Sequence, residues 1–306
     1  MPTNDRPGLL LCGLDGGSLL GFLAALGTLR TVALADPRSD WRMRWVEQEA
    51  MWLPEISSRR AIASNELVDL LMSALRLELT PEFDFDKNLT VSPERFRNVA
   101  REAQCRALKD DRRYADFLAA FGCEALTTDK REIQNTGFRT MSGVGHQHFL
   151  GTMKQLVEKT SASDLRRSLF KRWTYPDRRL GLRWDPHEDR RYALRWANPS
   201  GSDGVPTMRG ANRLAIESLP LYPTVPMGSC LKTTGFTQED GTVWFSWPLW
   251  GCSIGIDLVR SLLALSGIQR LEPDRPKLHA RGVVEIYRSR RTTNGRYRNF
   301  SSARPA

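Results

Sequence analysis

The chain has 306 residues, 41% of them apolar and 26% charged, which excludes wholesale disorder and allows one large domain or two. Its formal charge of +10 is unevenly placed. Residues 166–195 hold ten Lys/Arg against four acids and residues 281–306 seven Arg against one, +6 in each case, so the rest of the chain carries −2. Two local arginine concentrations of this kind point to a polyanionic partner rather than a solubilising coat.

The five cysteines are scattered, odd in number and without CxxC spacing, which argues against a disulfide framework or a zinc ribbon and suits a cytoplasmic location. The most apolar stretch, Ser18 to Ala35, is interrupted by Arg30 and is too short to span a membrane. It follows acidic residues instead of a basic leader, so neither export nor a membrane partner is expected.

In chain order, Leu9 to Leu14 reads as a strand broken at Asp15-Gly16-Gly17, a turn signal. Apolar residues at helical spacing then predict a buried helix from Ser18 to Ala35, with Ser18 as its cap. Trp41 to Val46 alternates as a half-buried strand, and Asn65 to Leu75 is a helix capped by Ser64 or Asn65 with Glu66 in its first turn. Ser92-Pro93-Glu94 opens a helix running to about Ala107, and another from Tyr114 to Phe121 ends at Gly122. Ile133 to Met141 has strand character. A turn at Ser142-Gly143-Val144-Gly145 precedes helices from His146 to Val157 and Ser163 to Phe170.

Beyond residue 172 the texture changes, with Pro, Gly and Trp frequent, and a weak break near residues 172–180 divides the chain into parts 1–172 and 173–306 or marks nothing more than one continuous domain. Arg190 to Trp196 reads as a strand, Gly210 to Leu219 as a helix stopped by Pro220, and Tyr222 to Pro226 as extended. Leu231–Phe236 and Val243–Trp247 read as a hairpin across Thr237 to Gly241. A helix from Ile256 to Leu265 and a strand from Gly282 to Arg288 complete the list. Helices mixed with antiparallel strands, without βαβ alternation, make the expected class α+β. Trp247, Trp250 and the helix from Ile256 are expected to pack beside the first helix or to face a protein partner.

The chemistry resides in arginine. Arg183, Arg190, Arg191 and Arg195 are interleaved with Trp and Tyr, and in a strand from Arg190 to Trp196 the aromatics share one face while Arg191 and Arg195 project from the other. Asn294-Gly295 is a hairpin-turn dipeptide, so a β-ribbon can carry Arg288, Arg290 and Arg291 on one arm and Arg296 and Arg298 on the other, with Tyr287 and Tyr297 as stacking partners. The exclusive use of Arg there favours bidentate phosphate recognition.

Two other readings remain open. His146 and His148, joined by Asp185 or His187, would make a metal-dependent nuclease or phosphohydrolase, although two His at i, i+2 point apart on a helix. A protein-only scaffold whose arginines meet acidic partners is the other. The turn before the first helix lacks the Lys and the spacing of a phosphate loop, and no cofactor fingerprint or helicase box is present, so neither a cofactor nor a catalytic set is expected.

Several strings occur together: Gly13-Leu14-Asp15 with Leu20-Gly21-Phe22-Leu23-Ala24-Ala25-Leu26-Gly27-Thr28-Leu29-Arg30, then Leu182-Arg183-Trp184-Asp185-Pro186, Gly210-Ala211-Asn212-Arg213-Leu214-Ala215, Trp247-Pro248-Leu249-Trp250 and Tyr297-Arg298-Asn299-Phe300. Together they resemble CRISPR-associated proteins of type I systems, particularly the I-G (formerly I-U) group. The resemblance implies a short, large-subunit-like effector component in antiviral defence, contacting guide RNA or target DNA beside other Cas subunits. Lacking nuclease and helicase motifs, it would not be the DNA-degrading component. The family pattern transfers no functional residue, and in such complexes the guide carries most of the sequence specificity.

Overall fold

The opening turn is closed by Asp15, whose Oδ1 accepts hydrogen bonds from the backbone N–H of Gly17 at 2.9 Å and of Trp52 at 3.3 Å. The computed structural model describes residues 7–75, 81–141, 148–188, 205–294 and 297–306. Strand β1 (Gly8–Leu10) leads into this turn and α1 (Leu19–Ala35) leaves it, with the Ser18 hydroxyl accepting from the Gly21 N–H as the cap. Every residue of α1 from Leu19 to Val32 is buried, so this is a central core helix rather than an amphipathic surface one.

Strands β2 (Arg42–Gln48) and β3 (Met51–Ser57) form a hairpin, followed by helices α2 (Ser64–Leu75), α3 (Pro81–Asp84), α4 (Pro93–Ala107) and α5 (Arg113–Phe121). A short pair, β4 (Gly122–Thr127) and β5 (Ile133–Asn135), precedes α6 (Phe149–Lys159) and α7 (Ala162–Phe170). Then come β6 (Asp177–Arg178), β7 (Pro206–Thr207), α8 (Arg209–Ile216), β8 (Thr224–Met227), β9 (Cys230–Thr233), β10 (Phe236–Glu239), β11 (Thr242–Trp250), β12 (Ile254–Gly255), α9 (Ile256–Leu263), α10 (Arg275–His279), β13 (Val283–Asn294), β14 (Tyr297–Phe300) and β15 (Arg304–Pro305).

Of the two larger sheets one has the order β1-β3-β2-β12 and the other β10-β11-β13-β14, with β15 also on β13; β4-β5, β6-β7 and β8-β9 are two-stranded, and all these pairings are antiparallel. The class is α+β. Among the described residues no helix is long and apolar enough to cross a membrane.

The core runs unbroken across residues 172–180: α1 packs on α8, and β12 joins the N-terminal sheet. An aromatic column ties the two sheets to α1. Phe22 stacks on Trp45 and Trp247, Trp247 on Phe245, and Phe245 meets Phe138 and Phe236, all with centroids within 5.7 Å. The Trp247 indole donates to the Gly16 carbonyl at 2.8 Å and the Trp250 indole to the Met43 carbonyl at 2.8 Å, which locks the second sheet to the opening unit. Trp247→Phe strips the buried Gly16 carbonyl of this donor, and we expect a loss of about 2 kcal/mol by urea unfolding, in the range for a buried acceptor left unpaired.

A buried ion cluster joins three helices. Glu217, 1% exposed just after α8, receives a two-pronged contact from Arg113 of α5 at 2.7 and 2.9 Å, a third from Arg213 of α8 at 2.7 Å and a fourth from Arg30 of α1 at 3.4 Å. Arg113 also donates to Glu82 at 2.6 Å. The arginine that interrupts the apolar run of α1 is thus an internal tie.

Three expectations are corrected. The hairpin closes more tightly than predicted: β10 starts at Phe236 and pairs with β11 across Asp240-Gly241 alone, both at positive φ (48° and 73°), while residues 230–233 pair with β8 instead. An Asp-Gly two-residue turn suits the right-handed twist of the strands better than a five-residue loop. The stretch predicted as a strand from Ile133 to Met141 ends at Asn135. Beyond it, side chains replace the ladder: Thr233 Oγ1 accepts from the Gly137 N–H, Trp184 donates to the Phe138 carbonyl and Thr140 donates to the Leu182 carbonyl. The last strand continues past Arg288 to Asn294, and β3, which contains Pro54, has no counterpart in the sequence reading.

Candidate nucleic-acid interface

The twelve residues of β13 pass from the core out to a two-stranded ribbon. The strand pairs with β11 from Val283 to Arg291, and its far end pairs with β14, Arg291 lying opposite Phe300 and Thr293 opposite Arg298. Alternation along the strand sorts its side chains into two sets. Ser289, Arg291 and Thr293 share the inner face with Phe245, Phe300 and Arg298. Arg288 and Arg290 share the outer face with Ser246, Trp244 and Arg304.

This alternation separates the ribbon arginines that the sequence reading placed on one surface. Arg290 is exposed, whereas Arg291 and Arg298 face the other way. Arg288 is no surface contact: it is 4% exposed and donates from Nη2 to the carbonyl of Arg270, the residue that follows the turn at Ser266–Gln269, at 2.7 Å. Burial, with Arg304 nearby, lowers its pKa. Tyr287 lies toward the other end of the strand, its ring stacked on Trp247 at 6.1 Å and beside Asp15, with its phenol raised chiefly by burial. It does not join the arginines.

Arg183 does reach the ribbon, with Nη1 donating to Asn299 Oδ1 at 3.4 Å from a residue of positive φ (59°) held in place by the buried Trp184. Arg190, Arg191, Arg195, Arg296 and His146 lie outside the described residues, as does the side chain of Tyr297. His148 Nδ1 is hydrogen-bonded with Asn88 Oδ1 at 3.1 Å. The backbone N–H of His187 donates to Asp185 Oδ1, and its ring packs on Tyr175. Among the described residues no group of three or more His, Cys, Asp or Glu is placed to hold a metal.

Arg139 and Arg304, neither of them among the site residues read from the sequence, complete the site. Arg139, 8% exposed, comes from the irregular stretch after β5; its Nε donates to the Met141 carbonyl, and its own carbonyl accepts from Arg291 Nη2 at 2.8 Å. Arg298 is the diagonal cross-strand neighbour of Arg291 on the same face, within reach of long side chains. Burial first, then Arg298 and Arg139, bring Arg291 down to about 9; burial first, then Arg298, bring Arg139 down to about 10. Arg291 Nε is buried with no acceptor. On the outer face Arg304 lies over the Trp244 ring at 4.9 Å, beside Arg290.

The described ion pairs are spread over the chain and include Arg275 with Glu285 of β13, but none of them uses Arg139, Arg290, Arg291, Arg298 or Arg304. Five guanidinium groups at one end of a sheet therefore have no carboxylate partner among the described residues. Such groups can form charge-assisted hydrogen bonds to an anion without first breaking a described ion pair. No family model matches the chain, and no curated protein matches it.

Proposed function

We propose that the protein binds the sugar–phosphate backbone of a nucleic acid as a non-catalytic subunit of a prokaryotic CRISPR type I effector complex, contacting guide RNA or target DNA beside other Cas subunits. The effector assignment rests on the sequence resemblance. The binding assignment rests on one observation, the five carboxylate-free arginines at the end of the β13–β14 ribbon. Guanidinium groups that neutralise phosphates release the cations condensed on the nucleic acid, so the logarithm of the affinity falls with the logarithm of salt concentration in proportion to the contacts made. On the outer face, Trp244 and the guanidinium groups of Arg290 and Arg304 add flat surfaces on which an unpaired base can stack.

Arg290→Glu changes an exposed side chain and leaves the core intact. Fluorescence anisotropy with labelled single-stranded and duplex oligonucleotides at several salt concentrations is expected to show weaker binding and a log–log salt slope shallower by about 1. Identical slopes for wild type and variant would remove this surface from the reading. Absence of oligonucleotide binding at low salt, together with stable co-purification of an acidic protein, would favour a scaffold instead.

A further inference from the structure

The inner-face arginines differ from those outside in being drawn together and sheltered, Arg139 buried and Arg291 and Arg298 half-buried. Arg291 is anchored by its Nη2 on the Arg139 carbonyl, and Arg298 lies diagonally opposite on β14. Phe300, opposite Arg291, is fully buried against Phe138 and Phe236, so the floor beneath these side chains is aromatic and dry. The Arg291 Nε is buried without an acceptor, and no described ion pair neutralises any of the three groups. The acids that act on Arg139, Glu132 and Asp86, do so at longer range than an ion pair; Asp86 Oδ1 already accepts from Asn88 and Thr90.

We propose that Arg139, Arg291 and Arg298 form a socket for a phosphate monoester dianion, such as a terminal phosphate of a nucleic acid. Like charges brought together in a partly dry site repel one another until an anion arrives, and the lowered pKa of all three arginines reflects their burial and, for Arg139 and Arg291, this crowding. An internal diester brings one negative charge. A monoester brings about 1.5 to 2 and three terminal oxygens, which suits three planar donors better. That the monoester is a nucleic-acid end rests on the backbone-binding reading, whereas the socket itself does not.

The test uses the full chain, with inorganic phosphate in calorimetric titration and a matched pair of oligonucleotides, one 5′-phosphorylated and one 5′-hydroxyl, in anisotropy. Arg298→Gln is the main variant because no described hydrogen bond depends on its side chain; an unchanged melting temperature verifies its fold, and Arg139→Gln is the second. Wild type is expected to bind phosphate at least about tenfold more tightly than Arg298→Gln, since losing one hydrogen-bonded charge on an anion is a change of that order. It is also expected to prefer the phosphorylated oligonucleotide by about tenfold, a preference kept in Arg290→Glu and lost in Arg298→Gln. Equal phosphate affinity in wild type and Arg298→Gln, or no phosphate binding at all, overturns the socket whatever the oligonucleotides do. Phosphate binding lost in Arg298→Gln, with equal affinity for the two oligonucleotides, supports the socket and assigns its monoester to a small molecule. An unaltered salt slope in Arg290→Glu counts against the backbone reading alone.

Discussion

Replacing Glu217 by Gln is expected to destabilise the protein by about 3–5 kcal/mol, the range for removing one partner of a buried ion pair. The amide keeps the shape, but it leaves the guanidinium groups of Arg30, Arg113 and Arg213 without the carboxylate that they surround. The midpoint of urea unfolding reports the loss. Acid gives an independent check. Burial would raise the Glu217 carboxyl, yet Arg113, Arg213 and Arg30 outweigh it and hold it well below the usual carboxylate range. A lowered native pKa contributes stability above the unfolded value, about 4.3, and that contribution drains away as pH falls below it. Glu82 acts in the opposite sense, because burial prevails over Arg113 and raises its pKa. Stability measured from pH 7 to pH 3 should therefore fall more steeply in wild type than in Glu217→Gln, narrowing the gap between them. Parallel curves would mean that Glu217 is not held as an ion.

Gly27→Ala is the second large effect. A Cβ at this position would fall inside the carbonyl of Leu214, where α1 crosses α8 backbone to backbone. Neither helix can yield locally, since α1 is buried on nearly all sides and α8 carries Arg213 of the ion cluster. The two helices must separate, and we expect a loss of about 3 kcal/mol, at the upper end of overpacking. Gly267→Ala is the control: the nearest atom to its Cβ would lie at 3.8 Å, an ordinary contact, so its effect should stay within about 0.5 kcal/mol. Equal melting temperatures for Gly27→Ala and wild type would show that the crossing is looser than described.

The first helix, its Ser18 cap and the preceding turn were readable from the chain because each depends on neighbours in sequence: an apolar period, an Asp-Gly-Gly turn and a hydroxyl beside a free N–H. The helix from Pro93 and the one ending at Gly122 were readable for the same reason. The purpose of Gly27 and Arg30 was not, since both answer to groups near residues 214–217, far away along the chain. The ribbon shows the same division. Its charge is a matter of composition, but the burial of Arg288 depends on the stretch ending at Arg270, which comes from elsewhere in the chain to meet its guanidinium. Arg139 carried no local sign of its role. Its stretch alternates like a strand, and only Trp184, Thr233 and Leu182, brought in from elsewhere, turn it out of the ladder and set it beneath Arg291.

Strand β13 extends about 40 Å at the usual rise per residue, and its two ends live in different media. Near Tyr287 and Ser289 it is clamped by indole and phenyl rings, and at Thr293 it stands among cations. It behaves as a cantilever whose root is hydrocarbon and whose tip is charged. Cut free as a peptide, residues 283–300 would keep the ribbon's arginines but forfeit the spacing between them, because a lone hairpin is marginally stable in water and Phe300 would have no wall to press against.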